Sequence, residues 1–160
     1  MKSLIKVLCL LAVCLTTAEA KWEGFYGRGG VSVLGAAKDG NFNFEPLFAV
    51  AAGYGAVIPN LFSHGLYVGL DIEGIRKSEF GYSHEAFMRF GFPRAQCMLY
   101  VGPKGGYNTT HEYGFWGVKG GMDFDFILPG FFWGIHADWT IPFKEIPSTI
   151  QTGFTFGYRF

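Results

Sequence analysis

The chain has 160 residues, 19% of them aromatic and only 16% charged, with 24 glycines. So much hydrophobicity with so little charge excludes a disordered chain, and thirteen basic against thirteen acidic side chains exclude a partner recruited by net charge, nucleic acid included. The length suits a single domain.

Residues 1–20 read as a secretory signal peptide. Lys2 and Lys6 form a positive n-region, Val7 to Leu15 an apolar h-region, and Ala18-Glu19-Ala20 a cleavage site of the A-x-A kind. A lipoprotein signal would need a small residue before the modified cysteine, and Cys14 follows Val13. Cleavage would remove Cys9 and Cys14 and leave Cys97 as the sole cysteine, so no intramolecular disulfide is expected in this exported domain, which spans 21–160. That domain carries 11 basic and 12 acidic side chains.

Period-two alternation organises the exported domain. The first strand sets Phe25, Val31 and Val33 opposite Tyr26, Arg28 and Ser32. A second, at about 47–58, is small or apolar on both faces. It lies in an uncharged stretch from Pro46 to Leu70 that is long enough for a membrane helix but is broken by Gly53, Gly55, Pro59, Asn60, Ser63, Gly65 and Gly69. The third sets Leu66, Val68, Leu70 and Ile72 against Tyr67, Gly69, Asp71 and Glu73. A fourth is expected at about 85–92, ending at Pro93, and a fifth at about 97–107, interrupted by Pro103. The sixth opposes Trp116, Val118, Gly120, Met122, Phe124 and Phe126 to Gly117, Lys119, Gly121, Asp123 and Asp125. After the tight turn Ile127-Leu128-Pro129-Gly130, the seventh opposes Phe131, Trp133, Ile135, Ala137, Trp139 and Ile141 to Phe132, Gly134, His136, Asp138 and Thr140. The last opposes Ile150, Thr152, Phe154, Phe156, Tyr158 and Phe160 to Gln151, Gly153, Thr155, Gly157 and Arg159. Eight strands of about ten residues are what tilted membrane strands require, with seven short connections between them.

Alternation does not say which face points outward, since a soluble barrel also alternates, but volume does. An eight-stranded barrel has an interior just wide enough for side chains, and the apolar face would have to place more than a dozen aromatic rings there. The other face, glycine interleaved with charged and hydroxyl groups, fits a narrow lumen. The apolar face therefore points toward lipid. With both chain ends on one side, Phe25, Phe90, Phe92, Phe124, Phe126, Phe131, Trp133, Tyr158 and Phe160 form an aromatic girdle there, and Phe48, Tyr107, Trp116 and Trp139 form the opposite one. The expected fold is an all-β, antiparallel transmembrane β-barrel of eight strands.

Gly24-Phe25-Tyr26, the Gly-Val-Lys-Gly-Gly stretch at 117–121 and the ending Phe-Gly-Tyr-Arg-Phe resemble the small outer-membrane barrels of Gram-negative bacteria, the opacity-protein and outer-membrane-protein-A barrel group. The resemblance implies an outer-membrane location, monomeric insertion into lipid, delivery by periplasmic chaperones, and recognition by the barrel-assembly machinery of a C-terminal signal made by Phe154, Phe156, Tyr158 and Phe160. Two features depart from the group. No peptidoglycan-binding domain is expected after the barrel, and the outer loops, the longest at about Gly35 to Glu45, look short for an adhesin.

The inward face supplies Arg28, Arg89, Lys104, Lys119 and Arg159 against Asp71, Glu73, Asp123, Asp125 and Asp138, with His136 beside them. Charges removed from water must be paired, so a balanced set suggests salt bridges that close the lumen, with Asp138 expected on Lys119 or Arg159. The same residues have sharper readings. His136 and Asp138 share a face, as a general base and its partner would, and some eight-stranded outer-membrane barrels modify lipid A, but this pair points inward and no serine lies in the motif. Asp123, Asp125, Asp138 and His136 are also metal-ligand types. Cys97 reads as a small apolar side chain facing lipid, and the sequon at Asn108 carries little weight in a bacterium. No nucleotide, dinucleotide or zinc motif is present, so no cofactor is expected. The expected role is non-enzymatic, in envelope integrity or surface interaction. An adhesin or ligand-binding module acting through its loops, a lipid A-modifying enzyme and a small porin stand as alternatives.

Overall fold

A computed structural model of the protein describes residues 22–38, 41–59, 61, 65–77, 81–94 and 96–160. The signal peptide expected at 1–20 lies outside the described residues. In chain order the strands are β1 (Gly24–Lys38), β2 (Asn41–Ile58), β3 (Leu66–Lys77), β4 (Gly81–Pro93), β5 (Cys97–Asn108), β6 (Tyr113–Asp125), β7 (Phe131–Pro142) and β8 (Thr149–Arg159). Each pairs antiparallel with its sequence neighbour, and β8 pairs with β1 to close the barrel. Closure leaves no free sheet edge. The Phe160 N–H donates to the Phe25 carbonyl at 2.9 Å, and the Arg159 N–H donates to Gly130 at 2.8 Å. The end of the chain, the start of β1 and the β6–β7 turn therefore share one rim, the terminal rim. At that turn the Phe126 N–H donates to the Phe131 carbonyl at 2.9 Å, and Gly130 takes φ +83°, a left-handed geometry that favours glycine.

The strands exceed the expected ten residues, reaching 15 in β1 and 18 in β2. The segment from Gly35 to Glu45, expected to be the longest outer loop, is instead the continued β1–β2 ladder, which runs to Lys38↔Asn41. On the rim opposite the chain ends, the longest described connection is 143–148, between β7 and β8. Nor does Pro103 interrupt β5, which stays paired with β6 through Pro103↔Val118. The cost falls on the other side: the β4–β5 ladder breaks between Phe87↔Lys104 and Phe90↔Val101, because proline has no N–H to give.

The faces are inverted relative to a soluble protein. Phe25, Val50, Ile72 and Phe156 are 67%, 70%, 66% and 60% exposed, whereas Asp71, Lys119, Glu73 and Arg89 are at most 1% exposed. Exposed aromatics crowd the terminal rim, where Phe124 stacks on Trp133 at 4.4 Å between centroids, Trp133 on Phe154 at 5.4 Å, and Phe154 meets Phe156 edge-on at 4.8 Å. These stacks leave Phe124 and Trp133 half-buried within the belt. Phe48, Tyr107, Trp116 and Trp139, joined by Tyr82, are exposed toward the far rim. Cys97 shares the outward phase of Leu99 and Val101 on β5 but is buried there. It opens β5 directly opposite the bulky Phe124, and a short side chain beside a large ring keeps little surface of its own.

Candidate functional site

Inward alternation aims one charged side chain after another at the barrel axis, and the narrow bore forces them into contact. The result is a continuous ladder of nine charges in strictly alternating sign. At one end Asp123 accepts from Arg89 at 2.5 Å, and Arg89 reaches Asp71 at 2.8 Å. Asp71 also meets Arg28 at 2.7 Å and accepts the Tyr26 hydroxyl proton, and Arg28 approaches Glu73 at 3.6 Å. Glu73 pairs with Lys119 at 2.5 Å, Lys119 with Glu85 at 3.4 Å, Glu85 with Lys104 at 3.1 Å, and Lys104 with Asp138 at 2.7 Å. A tenth and eleventh charge, Arg159 and Asp125, form a separate pair at 2.7 Å at the terminal rim.

Of the ten charged residues expected in the lumen, eight lie in the ladder and two in the rim pair, and the structure adds Glu85 to the ladder. The inventory is thus five cations against six carboxylates, not five against five. Glu85 sits two steps from Phe87 and four from Arg89 on β4, so continuing the period of two from Arg89 places it inward. Asp138 pairs with Lys104, not with Lys119 or Arg159: Lys119 is already held between Glu73 and Glu85, and Arg159 belongs to the terminal rim.

Rings fill the space around the ladder. The Arg89 guanidinium lies 4.1 Å from the Tyr100 ring centroid, 5.6 Å from Tyr26 and 5.7 Å from Phe87. Five inward aromatics, Tyr26, Tyr67, Tyr100, Phe115 and Phe132, each oppose a glycine on the neighbouring strand, namely Gly53, Gly91, Gly121, Gly106 and Gly157. A Cβ at Gly121 would stand 2.7 Å from the Tyr100 Oη, so glycine is what lets the ring lie across the strand. Trp22, just before β1, escapes sequence reasoning because it precedes any periodic run. It is 2% exposed, donates Nε1–H to the Arg94 carbonyl at 3.1 Å, and stacks with Arg159, whose guanidinium is 4.0 Å from its ring. With Phe132, 4.8 Å from the same guanidinium, it covers the terminal mouth over a cavity of about 10 Å³, room for one water.

His136 has a partner that sequence adjacency could not show: its Nε2 lies 3.1 Å from the Ser32 Oγ across the β8 strand. Both residues are buried, and His136 Nδ1 has no hydrogen-bond partner among the described residues, so no carboxylate orients the ring. The candidate metal ligands are likewise dispersed, Asp123 onto Arg89, Asp125 onto Arg159 and Asp138 onto Lys104; among the described residues no group of three or more such side chains is placed to hold an ion.

No protein-family model matches the chain, and no curated protein matches it. Among solved structures, the crystal structure of Neisserial surface protein A (NspA) shares the fold with a TM-score of 0.61 and 14% sequence identity, over 86% of this chain and 97% of that one.

Proposed function

We propose that this chain is a small outer-membrane β-barrel, exported by a cleaved signal peptide, that serves envelope integrity or surface interaction and has no enzymatic role. The observation that carries the reading is the inversion of faces: large apolar side chains cover the outside between two aromatic girdles, while the charges are paired within. A water-facing surface of that kind would aggregate, whereas a bilayer is its natural solvent. Likeness in fold to a protein named a surface protein agrees with this. The lumen is closed by the ion-pair ladder and by Trp22, which weighs against a porin. Adhesion through the far-rim loops is the second reading, and the exposed run Thr109 to Glu112 with Phe143 to Glu145 is the surface it would use.

The test is fractionation. The protein is expected to sediment with outer membranes, to resist alkaline extraction, and to migrate faster on gels unboiled than boiled. Recovery as a soluble monomer without detergent would overturn the proposal.

A further inference from the structure

The outward face of the strands is apolar, aromatic or small at almost every position, and the exceptions fall together. Among the described side chains, the only basic groups on that face are Arg76 of β3 and His84 of β4. The register sets Arg76 opposite Tyr82 and Gly74 opposite His84, so the two bases are diagonal neighbours on one face, within reach of long side chains. Gly74 lies beside them, and a Cβ built there would meet nothing within 4 Å, so the surface between them is a shallow open notch. Phe48 opposes Arg76 from β2, and Tyr107 opposes His84 from β5. With Tyr82, whose ring centroid is 5.8 Å from the Arg76 guanidinium, these are far-girdle aromatics. Such rings mark the headgroup level of a bilayer. Among the described residues Arg76 has no ion-pair partner and His84 no hydrogen bond, in contrast to the cations of the lumen.

A charge on the lipid face is costly at mid-bilayer and tolerated only near the headgroups, and a guanidinium there has donors to satisfy. We infer that Arg76 and His84 form a binding site for the phosphate of one anionic lipid in the outer leaflet, its chains running down the apolar wall past Gly74 and Ile72. The guanidinium fork matches phosphate oxygens, His84 supplies a second donor from the adjacent strand, and the flanking rings set both at the headgroup level. The inference rests on the membrane reading above.

The test is native mass spectrometry of the folded barrel in neutral detergent, titrated with phosphatidic acid. The wild type is expected to retain one lipid molecule per barrel. The double variant R76Q/H84Q is expected to retain at least tenfold less, and V118L, on the same face of β6, to match the wild type. Because the substituted side chains project outward, folded gel mobility of all three should be unchanged, which separates loss of binding from loss of fold. Equal retention by the double variant would overturn the inference, and so would displacement of the lipid by the same concentration of inorganic phosphate, which would mean that the site reads a free ion. A barrel that fails to enter vesicles at all would instead count against the membrane reading.

Discussion

At the scale of single residues, the ladder makes unequal demands on its members. Arg89 touches Asp71 and Asp123 and lies against three rings, so Arg89→Met would strand the buried carboxylate of Asp123 and leave Asp71 with only Arg28 and the Tyr26 hydroxyl. Breaking a buried pair in this way costs about 3–5 kcal/mol. Asp138→Ala leaves Lys104 still paired with Glu85 at 3.1 Å and removes only one of its two partners, so the expected loss is smaller, about 1–3 kcal/mol. His136→Gln retains a hydrogen-bonding group near Ser32 and is expected to be close to neutral. Urea unfolding of the three variants in vesicles, read by the gel shift of the folded form, should give that order. Lipid A from cells expressing His136→Gln should be unchanged in mass, and a change in acyl number that depends on His136 would show an enzyme. Most ladder members were legible in the sequence because a strand repeats every two residues, so one anchored position assigns its whole face. Partner identity was not legible: which cation meets Asp138 depends on how far each strand is staggered around the barrel, and stagger leaves no trace in any one strand's pattern.

At the scale of elements, the strands with a clean apolar–polar contrast, β3, β6, β7 and β8, could be read from alternation alone. β2 blurs the contrast because Ala49, Ala51, Gly53 and Gly55 point inward against larger neighbours, and its true length shows only in the ladder with β1. Pro103 misled for a different reason: a proline rule for central strands presumes that both ladders must hold, and here the β4 side gives way while the β6 side persists. The last strand carries a prediction of its own. Phe160 contributes one backbone hydrogen bond to β1 and a side chain that is 84% exposed, so deleting it removes little from the finished fold, about 1 kcal/mol. If Phe160 is instead part of the signal that the assembly machinery reads, its deletion should lower the surface level of folded barrel severalfold in cells. The same variant refolded in detergent should keep near-normal stability. Normal surface levels would place the assembly signal elsewhere.

At the scale of the whole molecule, the polar and apolar halves of the sequence do different work. On the membrane reading proposed above, the outward rings match the barrel to a bilayer, and the inward charges decide whether water passes. Nine charges in alternating order leave no run of one sign to attract a stream of counter-ions, and each carboxylate or cation that an ion would need as a partner is already held by its neighbour at 2.5–3.6 Å. Tyr26, Tyr67, Tyr100, Phe87 and Phe132 occupy the bore between them, and Trp22 with Arg159 covers the terminal mouth. Purified protein in planar bilayers is therefore expected to show no stable conductance at ordinary salt. Because buried pairs are little screened by added salt, raising the ionic strength should not open the lumen either. Removing Trp22 alone should change little, since the ladder beneath it stays intact, whereas Trp22→Ala combined with Arg89→Met should produce fluctuating openings if the barrel still closes. Large, steady, ion-selective steps from the unmodified protein would mean that the ladder parts in the membrane, and that the lumen serves as a pore.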